Sequence, residues 1–343
     1  MINIISRALV SDEVSGPGKV AKNLVRGLEL IRYPFVVNKR LDYCSRLWIH
    51  DDHDALKRLG RLPPSIKVVV GPNLFHRTCH IPADVDLSRA VYLQPSEWAK
   101  SFWITFGFDK CPVEVWATGI DTYEFRPQDS QKKHILIYFK QRFAAELAAV
   151  TELLDSKGLK YRIIRYPGYP QEEYKDLLAD SRYVIWLGRQ ESQGIAFQEA
   201  MASGVPMLVW DVPNVGYCDM GGSPSVFTSE ENSYTNTTSA PYFDERCGIK
   251  IMGAAELAAA VELMERNWRK FNPRQYVLEN LSLEKKARDL LNIFNDSFHL
   301  KWEEETVWRP YRHGNWTAIP WRNRVKNRLK TIIKSVLRGM KRR

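Results

Sequence analysis

One strand–loop–helix–strand unit in the second half of the chain constrains the fold most. Residues 183–187 are a continuous apolar run, which is typical of a strand buried on both faces. Residues 194–202 predict a short helix, and Gly204 and Pro206 are natural helix stoppers before the next apolar run at residues 207–210. Buried strands joined through a helix lie parallel, so a layered α/β protein is expected. In such sheets a ligand binds beyond the carboxyl ends of the strands, where helix N–H groups favour an anion.

Two glutamates, Glu191 and Glu199, bracket the start of the predicted helix. A rise of about 1.5 Å per residue would place them roughly 12 Å apart along any helix that held both. The carboxylate pair of a glycoside hydrolase lies closer, at about 5 to 9.5 Å across one bond. We therefore expect the two carboxylates to contact separate hydroxyl-bearing parts of one extended ligand, such as a sugar and a ribose. The alternative is a solvated helix face, since most glutamates lie at the surface.

The alternation of short strands and helices runs through most of the chain. A first series of strands is predicted at residues 3–5, 35–37, 47–49, 67–70, 91–93 and 113–116. A second series begins with strands at residues 134–139 and 161–164. Helices are predicted at residues 20–31, 142–156, 171–179, 254–269 and 282–300. Because 343 residues exceed one typical domain, two α/β domains with mostly parallel sheets are expected.

A known family shares the pattern around the two glutamates. Glu191 and Glu199, followed by Ala-Met-Ala-Ser-Gly-Val-Pro at residues 200–206, resemble the signature of the retaining glycosyltransferases of family four, also called glycosyl transferases group 1. Residues 94–98 and 118–127 are similar to the end of that family's first domain and to its interdomain linker. The resemblance implies the GT-B fold, an α/β architecture in which two Rossmann-like domains face a cleft.

The resemblance also implies how the chain is divided and what it does. Residues 1–127 would form an N-terminal acceptor domain, residues 128–300 a C-terminal nucleotide-sugar donor domain, and residues 301–343 a separate tail. The family moves a sugar from a nucleoside diphosphate donor to a hydroxyl acceptor with retention at the anomeric carbon, generally without a bound metal or other cofactor. A role in polysaccharide or glycan assembly is therefore expected. A nucleotide-sugar hydrolase or epimerase of the same fold, and a non-catalytic scaffold, remain open as alternatives.

Candidate donor-site residues follow from the same resemblance. Glu199 would hold the ribose and Glu191 the region of the donor sugar, while the backbone N–H groups of Gln193, Gly194 and Ile195 would contact the sugar or phosphate. Three basic residues that follow predicted strands are expected at the diphosphate: Lys140, Arg142 and Arg189. Of the candidates, Glu191, Lys140 and Arg142 are expected to act in catalysis, since stabilising the leaving diphosphate is its main task. A solvated helix start is the alternative for Lys140 and Arg142.

Fewer residues stand out in the first half. Gly16 and Gly18 precede a predicted helix and would let the backbone approach a substrate or phosphate closely, although a tight turn would use the same residues. His76 lies at a predicted strand end where relatives carry an acceptor-side histidine. The His and Asp residues at positions 50–54 include metal-ligand types, but their spacing fits no zinc pattern, and a polar loop is expected.

The excess positive charge is confined to one segment. Residues 322–343 contain ten Lys or Arg and no acidic residue, which leaves 40 basic and 40 acidic residues in the other 321. Apolar residues recur there at spacings of three and four, so a basic amphipathic helix on an anionic membrane surface is predicted. A helix docked on its own protein and a nucleic-acid arm are the alternatives. The neutral remainder argues against binding of a long polyanion, and nucleic acid is not an expected partner.

The five cysteines show no paired spacing, which favours a reducing compartment. No signal peptide or spanning segment is recognisable. We therefore expect a cytoplasmic protein, peripheral on the inner face of a membrane if the tail binds lipid.

Overall fold

The computed structural model describes residues 1–10, 16–72 and 74–299, together with the backbone of residues 307–311 and 315–319. The predicted amphipathic helix at residues 322–343 lies outside the described residues. Within them, no helix has the length and apolar character needed to cross a membrane. The backbone strands β12 (Val307–Tyr311) and β13 (Asn315–Ile319), numbered last in the chain, pair antiparallel with each other.

The first sheet contains six strands in the order β2-β1-β3-β4-β5-β6, and every neighbouring pair is parallel. Its strands are β1 (Ile2–Ile5), β2 (Phe35–Val37), β3 (Arg46–Ile49), β4 (Lys67–Val70), β5 (Ala90–Gln94) and β6 (Val113–Val115). The helices between them are α1 (Gly16–Leu30), α2 (His53–Leu56) and α3 (Glu97–Thr105), with short 3₁₀ turns at Leu59–Arg61 and Thr78–His80. All six strands were predicted to within two residues. Helix α1 begins earlier than predicted, because Gly16, Pro17 and Gly18 form its first turn instead of a loop.

The second sheet contains five parallel strands in the order β11-β10-β9-β7-β8. Its strands are β7 (His134–Lys140), β8 (Tyr161–Arg165), β9 (Ser181–Gly188), β10 (Met207–Trp210) and β11 (Gly248–Ile251). The helices of this half are α4 (Ala144–Ser156), α5 (Gln171–Asp180), α6 (Ile195–Ala202), α7 (Ser229–Asn232), α8 (Ala254–Asn267), α9 (Pro273–Asn280) and α10 (Leu283–Phe298), with a 3₁₀ turn at Trp268–Lys270. The predicted α/β class with parallel sheets is confirmed, whereas β11, α3, α9 and the short helices α2 and α7 were not predicted.

Each sheet is covered by helices on both faces, so each has two apolar layers. The layers of the first sheet are built around Leu47 and Val70 on one face and around Ile4 and Trp48 on the other. In the second sheet, successive residues of β7 and β9 alternate between its two apolar layers. Burial on both faces explains why these strands read as continuous apolar runs in the sequence. We refer to the two sheets with their helices as the first and second lobes.

The chain returns to the first lobe at its last described helix. Leu290 and Phe294 of α10 pack in the apolar layer that contains Ile4 and Trp48. The two helices α1 and α10 approach closely at Gly27, where an added Cβ would lie 2.5 Å from the carbonyl oxygen of Leu283. Any larger residue at position 27 would push α10 off the first lobe.

A second connection reaches across from the other side. We call residues 212–240, which follow β10, the strap. In the strap, Phe227 and Tyr234 pack against Phe102 of α3, and their ring centroids lie 5.5 and 5.3 Å from that of Phe102. Arg77 of the first lobe also forms an ion pair of 2.8 Å with Glu231 of the strap. The two lobes are therefore held together by apolar packing away from their facing edges.

Candidate functional site

A cavity of about 320 Å³ lies where the two lobes face each other. The first lobe contributes the start of α1 and two prolines, Pro72 and Pro95. The second lobe contributes the ends of β7 and β9, the loop before α5, and residues 191–196 together with Glu199. Both sheets thus present strand carboxyl ends and a helix start to one space, which is where ligands bind in parallel α/β folds.

The start of α6 at this cavity depends on Gly194. This residue is the N-cap of the helix and has φ +78° and ψ 55°, a left-handed conformation that costs most residues about 1–2 kcal/mol. The loop can therefore turn directly into the helix, and Gly194, Ile195 and Ala196 line the cavity. The first N–H groups of a helix have no acceptor within it, and the helix dipole is positive there. This end of α6 therefore suits an anionic or polar ligand group.

Glu199 lies one turn into α6 and is almost entirely enclosed. Its carboxylate is 4% exposed and its Oε1 lies 2.6 Å from Nζ of Lys19, which is on α1 of the other lobe. Burial raises the pKa of Glu199 to about 6, against the opposing effect of the Lys19 charge. An ionised carboxylate kept at such a site at neutral pH is poised to accept hydrogen bonds from a ligand.

Glu191 forms the matching pair within the second lobe. Its Oε1 lies 2.6 Å from Nζ of Lys140, the last residue of β7. The ammonium group of Lys140 also lies 4.5 Å from the ring centroid of Tyr166. Glu191 precedes α6 rather than belonging to it, so the helical spacing considered for the two glutamates does not apply. Both nevertheless line one cavity, as expected for two contacts to one ligand.

The loop between the two glutamates is fixed by contacts to the first lobe. Gln193 accepts a hydrogen bond of 3.0 Å from the backbone N–H of Thr118 and donates one of 2.9 Å to its carbonyl oxygen. The indole N–H of Trp98 donates to the carbonyl oxygen of Glu191 at 2.8 Å. Gln193 was predicted to contribute its backbone to a ligand. Gln193 lines the cavity, and its side chain joins the loop to the predicted linker.

One end of the cavity is aromatic. Tyr138 of β7 stacks on Trp186 of β9, with ring centroids 4.1 Å apart and planes within 11°. The hydroxyl groups of Tyr138 and Tyr169 lie 2.7 Å apart, and the Tyr174 hydroxyl donates to the carbonyl oxygen of Ala196 at 2.7 Å. The rings of Tyr138, Trp186 and Tyr174 are almost fully buried, whereas Tyr166 is exposed and Tyr169 is half-buried. These last two rings can meet a planar heterocycle.

Besides Gly18, three predicted residues are not brought to the cavity lining. The guanidinium of Arg142 is fully buried, forms an ion pair with Glu146, and donates to the carbonyl oxygens of Gly188 and Trp210 at 3.0 and 2.7 Å. This side chain joins the ends of β9 and β10 to the first turn of α4, and its hydrogen bonds leave it no place as a phosphate contact. Arg189 is half-buried and His76 is exposed, and both lie outside the cavity lining.

The start of α1 is better placed than the sequence suggested. Gly16, Pro17 and Lys19 line the cavity, whereas Gly18 is buried behind them. His50 at the end of β3 donates from Nε2 to the Pro17 carbonyl oxygen at 2.9 Å, which holds this first helical turn in place. Burial lowers the pKa of His50, so the imidazole is neutral.

The carboxylates that follow His50 serve other local contacts. Asp51 accepts from the backbone N–H groups of Arg7 and Ala8, and Asp52 caps α2. Residues 50–52 thus form the expected polar loop, whereas His53 and Asp54 already belong to α2. Among the described residues, no group of three or more His, Cys, Asp or Glu side chains is arranged to hold a metal ion.

Sequence reasoning missed Lys19 and the aromatic end. A signal existed for Lys19, which directly follows the two glycines singled out, but its partner Glu199 lies 180 positions away. The tyrosines at 166, 169 and 174 surround a short segment between β8 and α5 that carried no recognisable motif. Only the folded arrangement shows that these residues face one ligand space.

Neither a family model nor a curated protein matches this chain. Several solved structures match this chain. Sucrose-phosphate synthase from Thermosynechococcus elongatus matches with a TM-score of 0.55 and 11% identity, over 87% of this chain and 99% of that one. The lipopolysaccharide outer core galactosyltransferase WaaB gives a TM-score of 0.51 at 10% identity, again over 87% and 99%. The catalytic domain of starch synthase IV from Arabidopsis thaliana, bound to ADP and acarbose, gives 0.50 at 10% identity over the same shares.

These matches cover nearly all of each solved chain, so they include both lobes and the way the lobes face each other. At identities of 10–11% they establish architecture rather than activity. The two parallel sheets, the cavity between them and the return of α10 to the first lobe agree with that architecture. The chain therefore has the GT-B fold of glycosyltransferases that the sequence resemblance implied.

Proposed function

We propose that this protein is a glycosyltransferase that moves a sugar from a nucleoside diphosphate donor to a hydroxyl acceptor. The observation that carries the proposal is the cavity between the lobes, where two helix starts, two lysines and two glutamates meet beside an aromatic end. The solved structures of this fold that match the chain are named as a synthase of sucrose phosphate, a galactosyltransferase and a starch synthase, which supports the same class of reaction.

The chemistry of the lining suggests how a donor lies. The nucleobase fits the aromatic end, and Glu199 beside it would accept hydrogen bonds from the ribose hydroxyls. The diphosphate then reaches the start of α6 and Lys140, and the sugar lies towards Glu191. In the reaction the bond between the anomeric carbon and the phosphate oxygen breaks, and the acceptor oxygen takes its place and loses its proton. Lys140 and the α6 dipole stabilise the charge that develops on the departing diphosphate.

Three finer features extend this proposal. Retention at the anomeric carbon and independence of a metal ion are supported by the family resemblance, and NMR of the product anomer and activity after EDTA treatment would test them. The acceptor is a glycan or a lipid-linked glycan. These three properties belong to the reaction at the same cavity and do not alter the donor site. The division into domains at residue 127 stays a prediction.

The donor proposal is tested first by binding. The thermal unfolding midpoint of the wild-type protein is measured with UDP, GDP and ADP, and at least one of them is expected to raise it, because a ligand of the folded state stabilises it. Replacing Lys140 with Met should then weaken binding of that nucleotide at least tenfold, since a charge-assisted hydrogen bond contributes about 1.5–3 kcal/mol. Lys160→Met, at an exposed site in the same lobe, is the matched control and should bind normally.

Turnover separates transfer from the other chemistries of this fold. The sugar nucleotides of whichever base binds are incubated with and without hydroxyl acceptors, and release of the nucleoside diphosphate is followed. Acceptor-dependent release is expected. Fast release without an acceptor would point to a hydrolase, conversion of the sugar to an epimerase, and absence of any nucleotide effect in the binding experiment would rule out the proposal.

A membrane surface is the second partner that we propose, on sequence grounds alone. Basic residues near an anionic leaflet contribute about 1 kcal/mol each, and residues 322–343 hold ten of them. Co-sedimentation with vesicles of phosphatidylglycerol and phosphatidylcholine should therefore retain the full chain and release a chain that ends at Ile319. Equal binding of the two chains would remove this part of the proposal.

A further inference from the structure

Lys19 is the one charged side chain of the first lobe that lines the cavity within the described residues. It lies in the first turn of α1 and reaches across to Glu199 of α6, with 2.6 Å between Nζ and Oε1. The side chain is 26% exposed, and its ammonium lies 5.8 Å from the ring centroid of Phe125. It is therefore partly enclosed between the lobes while keeping one side open to the cavity.

The charges in the lining balance in pairs. Lys19 is bound to Glu199 and Lys140 to Glu191, and no arginine lines the cavity in the described part of the chain. A nucleoside diphosphate carries at least two negative charges, so its entry makes the cavity strongly anionic unless the lysines turn to it. Without Lys19, only Lys140 and the positive ends of the helix dipoles would offset the negative charges of the diphosphate and of the two carboxylates. The cavity has one further cation that can change partners, and that cation is Lys19.

We propose that Lys19 is a donor-binding residue that leaves Glu199 and binds the diphosphate, while Glu199 takes the ribose hydroxyls in its place. This exchange rests on the proposed function and adds to it a phosphate contact from the opposite lobe. It keeps each group satisfied, because the ammonium gains phosphate oxygens as acceptors and the carboxylate gains hydroxyl groups as donors. In the free protein, the Glu199 carboxylate is thus the acceptor that the phosphate replaces at the Lys19 ammonium.

The location of Lys19 supports this exchange. It follows the start of α1, whose positive dipole end lies at the same cavity, so that a phosphate near Gly16 and Pro17 would meet the dipole and the ammonium together. A lysine has a flexible stem with three donors, which allows it to change from one anion to another without moving the backbone. Glu199, by contrast, is held on a buried helix and stays in place.

The experiment compares a nucleoside diphosphate with its nucleoside. Using whichever of UDP, GDP and ADP binds the wild-type protein, calorimetry gives the ratio between its affinity and that of uridine, guanosine or adenosine. In Lys19→Met this ratio is expected to fall at least tenfold, with nucleoside affinity within twofold of wild type. Lys19→Arg should restore most of the ratio. Lys22→Met, an exposed lysine on the same helix, should leave both affinities unchanged.

Two results would overturn the inference. Equal losses for nucleoside and diphosphate in Lys19→Met would mean that Lys19 acts only by holding Glu199, and unchanged affinities for both ligands would mean that Lys19 does not contact the phosphate. If Lys19→Met does not fold, acetylation of the wild-type lysines is measured by mass spectrometry with the diphosphate and with the nucleoside. The diphosphate should protect Lys19 from acetylation, and the nucleoside should not. Absence of nucleotide binding by the wild type would instead refute the proposed function itself.

Discussion

Replacing Glu199 with Gln should stabilise the free protein at neutral pH while weakening nucleotide binding. Glu199 is ionised in an enclosed site where burial raises its pKa from 4.5 to about 6, and Lys19 offsets the burial only in part. The amide keeps the size of the side chain and one acceptor for Lys19, but it removes the charge. Stability and affinity are thus expected to change in opposite directions, which a residue with a purely structural role would not produce.

The magnitude follows from the change in pKa. Below pH 4.5, Glu199 is protonated in both the folded and the unfolded protein and contributes no cost. Between pH 4.5 and about 6 the unfolded chain ionises first, so the free energy of unfolding falls as the pH rises and the cost is complete above that window. A difference of roughly 1.5 pKa units corresponds to about 2 kcal/mol. Glu199→Gln should therefore gain about 2 kcal/mol over wild type at pH 7.5 and almost nothing at pH 4.5.

Thermal unfolding at a series of pH values measures this difference. In proteins of 150–250 residues 1 kcal/mol shifts the midpoint by about 2–4 °C, and the shift is smaller in longer chains, so a gain of at most roughly 4–8 °C is expected at pH 7.5. Glu173→Gln, an exposed glutamate on α5, serves as the control and should follow wild type at every pH. Glu124 and Lys175 also act on the charge of Glu199, with opposite signs, and are present in all three proteins.

Nucleotide binding completes the test. Loss of a charge-assisted hydrogen bond to the ribose should weaken nucleoside diphosphate binding at least tenfold in Glu199→Gln, since such bonds contribute about 1.5–3 kcal/mol. A variant that is less stable than wild type at pH 7.5, or a gain that is the same at pH 4.5 and 7.5, would contradict the assignment of an ionisation cost to this carboxylate. Unchanged nucleotide affinity would remove Glu199 from the donor site.

Three further predictions concern the surroundings of the cavity. Arg142→Met should lower the free energy of unfolding by about 3–5 kcal/mol in urea titrations, because Glu146 would remain buried without its partner; no loss would contradict the structural role of Arg142. Gly194→Ala, at φ +78°, should cost about 1–2 kcal/mol in the same titrations and weaken nucleotide binding, whereas normal stability and binding would show that the left-handed turn is dispensable. Because the strap holds the lobes by apolar contacts, the radius of gyration from small-angle scattering should be unchanged by nucleotide, and a clear decrease would show that the free lobes stand open.

The strands were predictable because their environment is simple. Residues 134–139 and 183–187 lie in the middle of a parallel sheet with helices on both faces, so every side chain except that of His134 is apolar or aromatic and the run is visible in the sequence. Strand β11 was missed because it lies at the edge of the sheet and alternates Ile249 and Ile251 with the exposed Lys250. A four-residue alternation at an edge does not differ enough from a loop to be recognised.

The candidate site was predictable only where its residues are close in sequence. Glu191, Gly194 and Glu199 lie within one loop and helix, and their types and spacing indicated a ligand site. The partners of these residues come from other parts of the chain, as Lys19 lies 180 positions from Glu199 and Lys140 lies 51 from Glu191. Local sequence also cannot show that Arg142 turns inward to the ends of two strands and the start of α4, while Lys140, two residues earlier, faces the cavity.

Two of the contacts between the lobes have different consequences for ligand binding. The apolar contacts of the strap with Phe102 lie outside the cavity lining and involve no group that a nucleotide would contact. The ion pair of Lys19 with Glu199, by contrast, uses the very atoms that a diphosphate and a ribose would need. A donor therefore has to replace this pair with contacts of its own, but it does not have to bring the lobes together. Its binding energy is then available for orienting the sugar at the acceptor side, because little of it is used for closure.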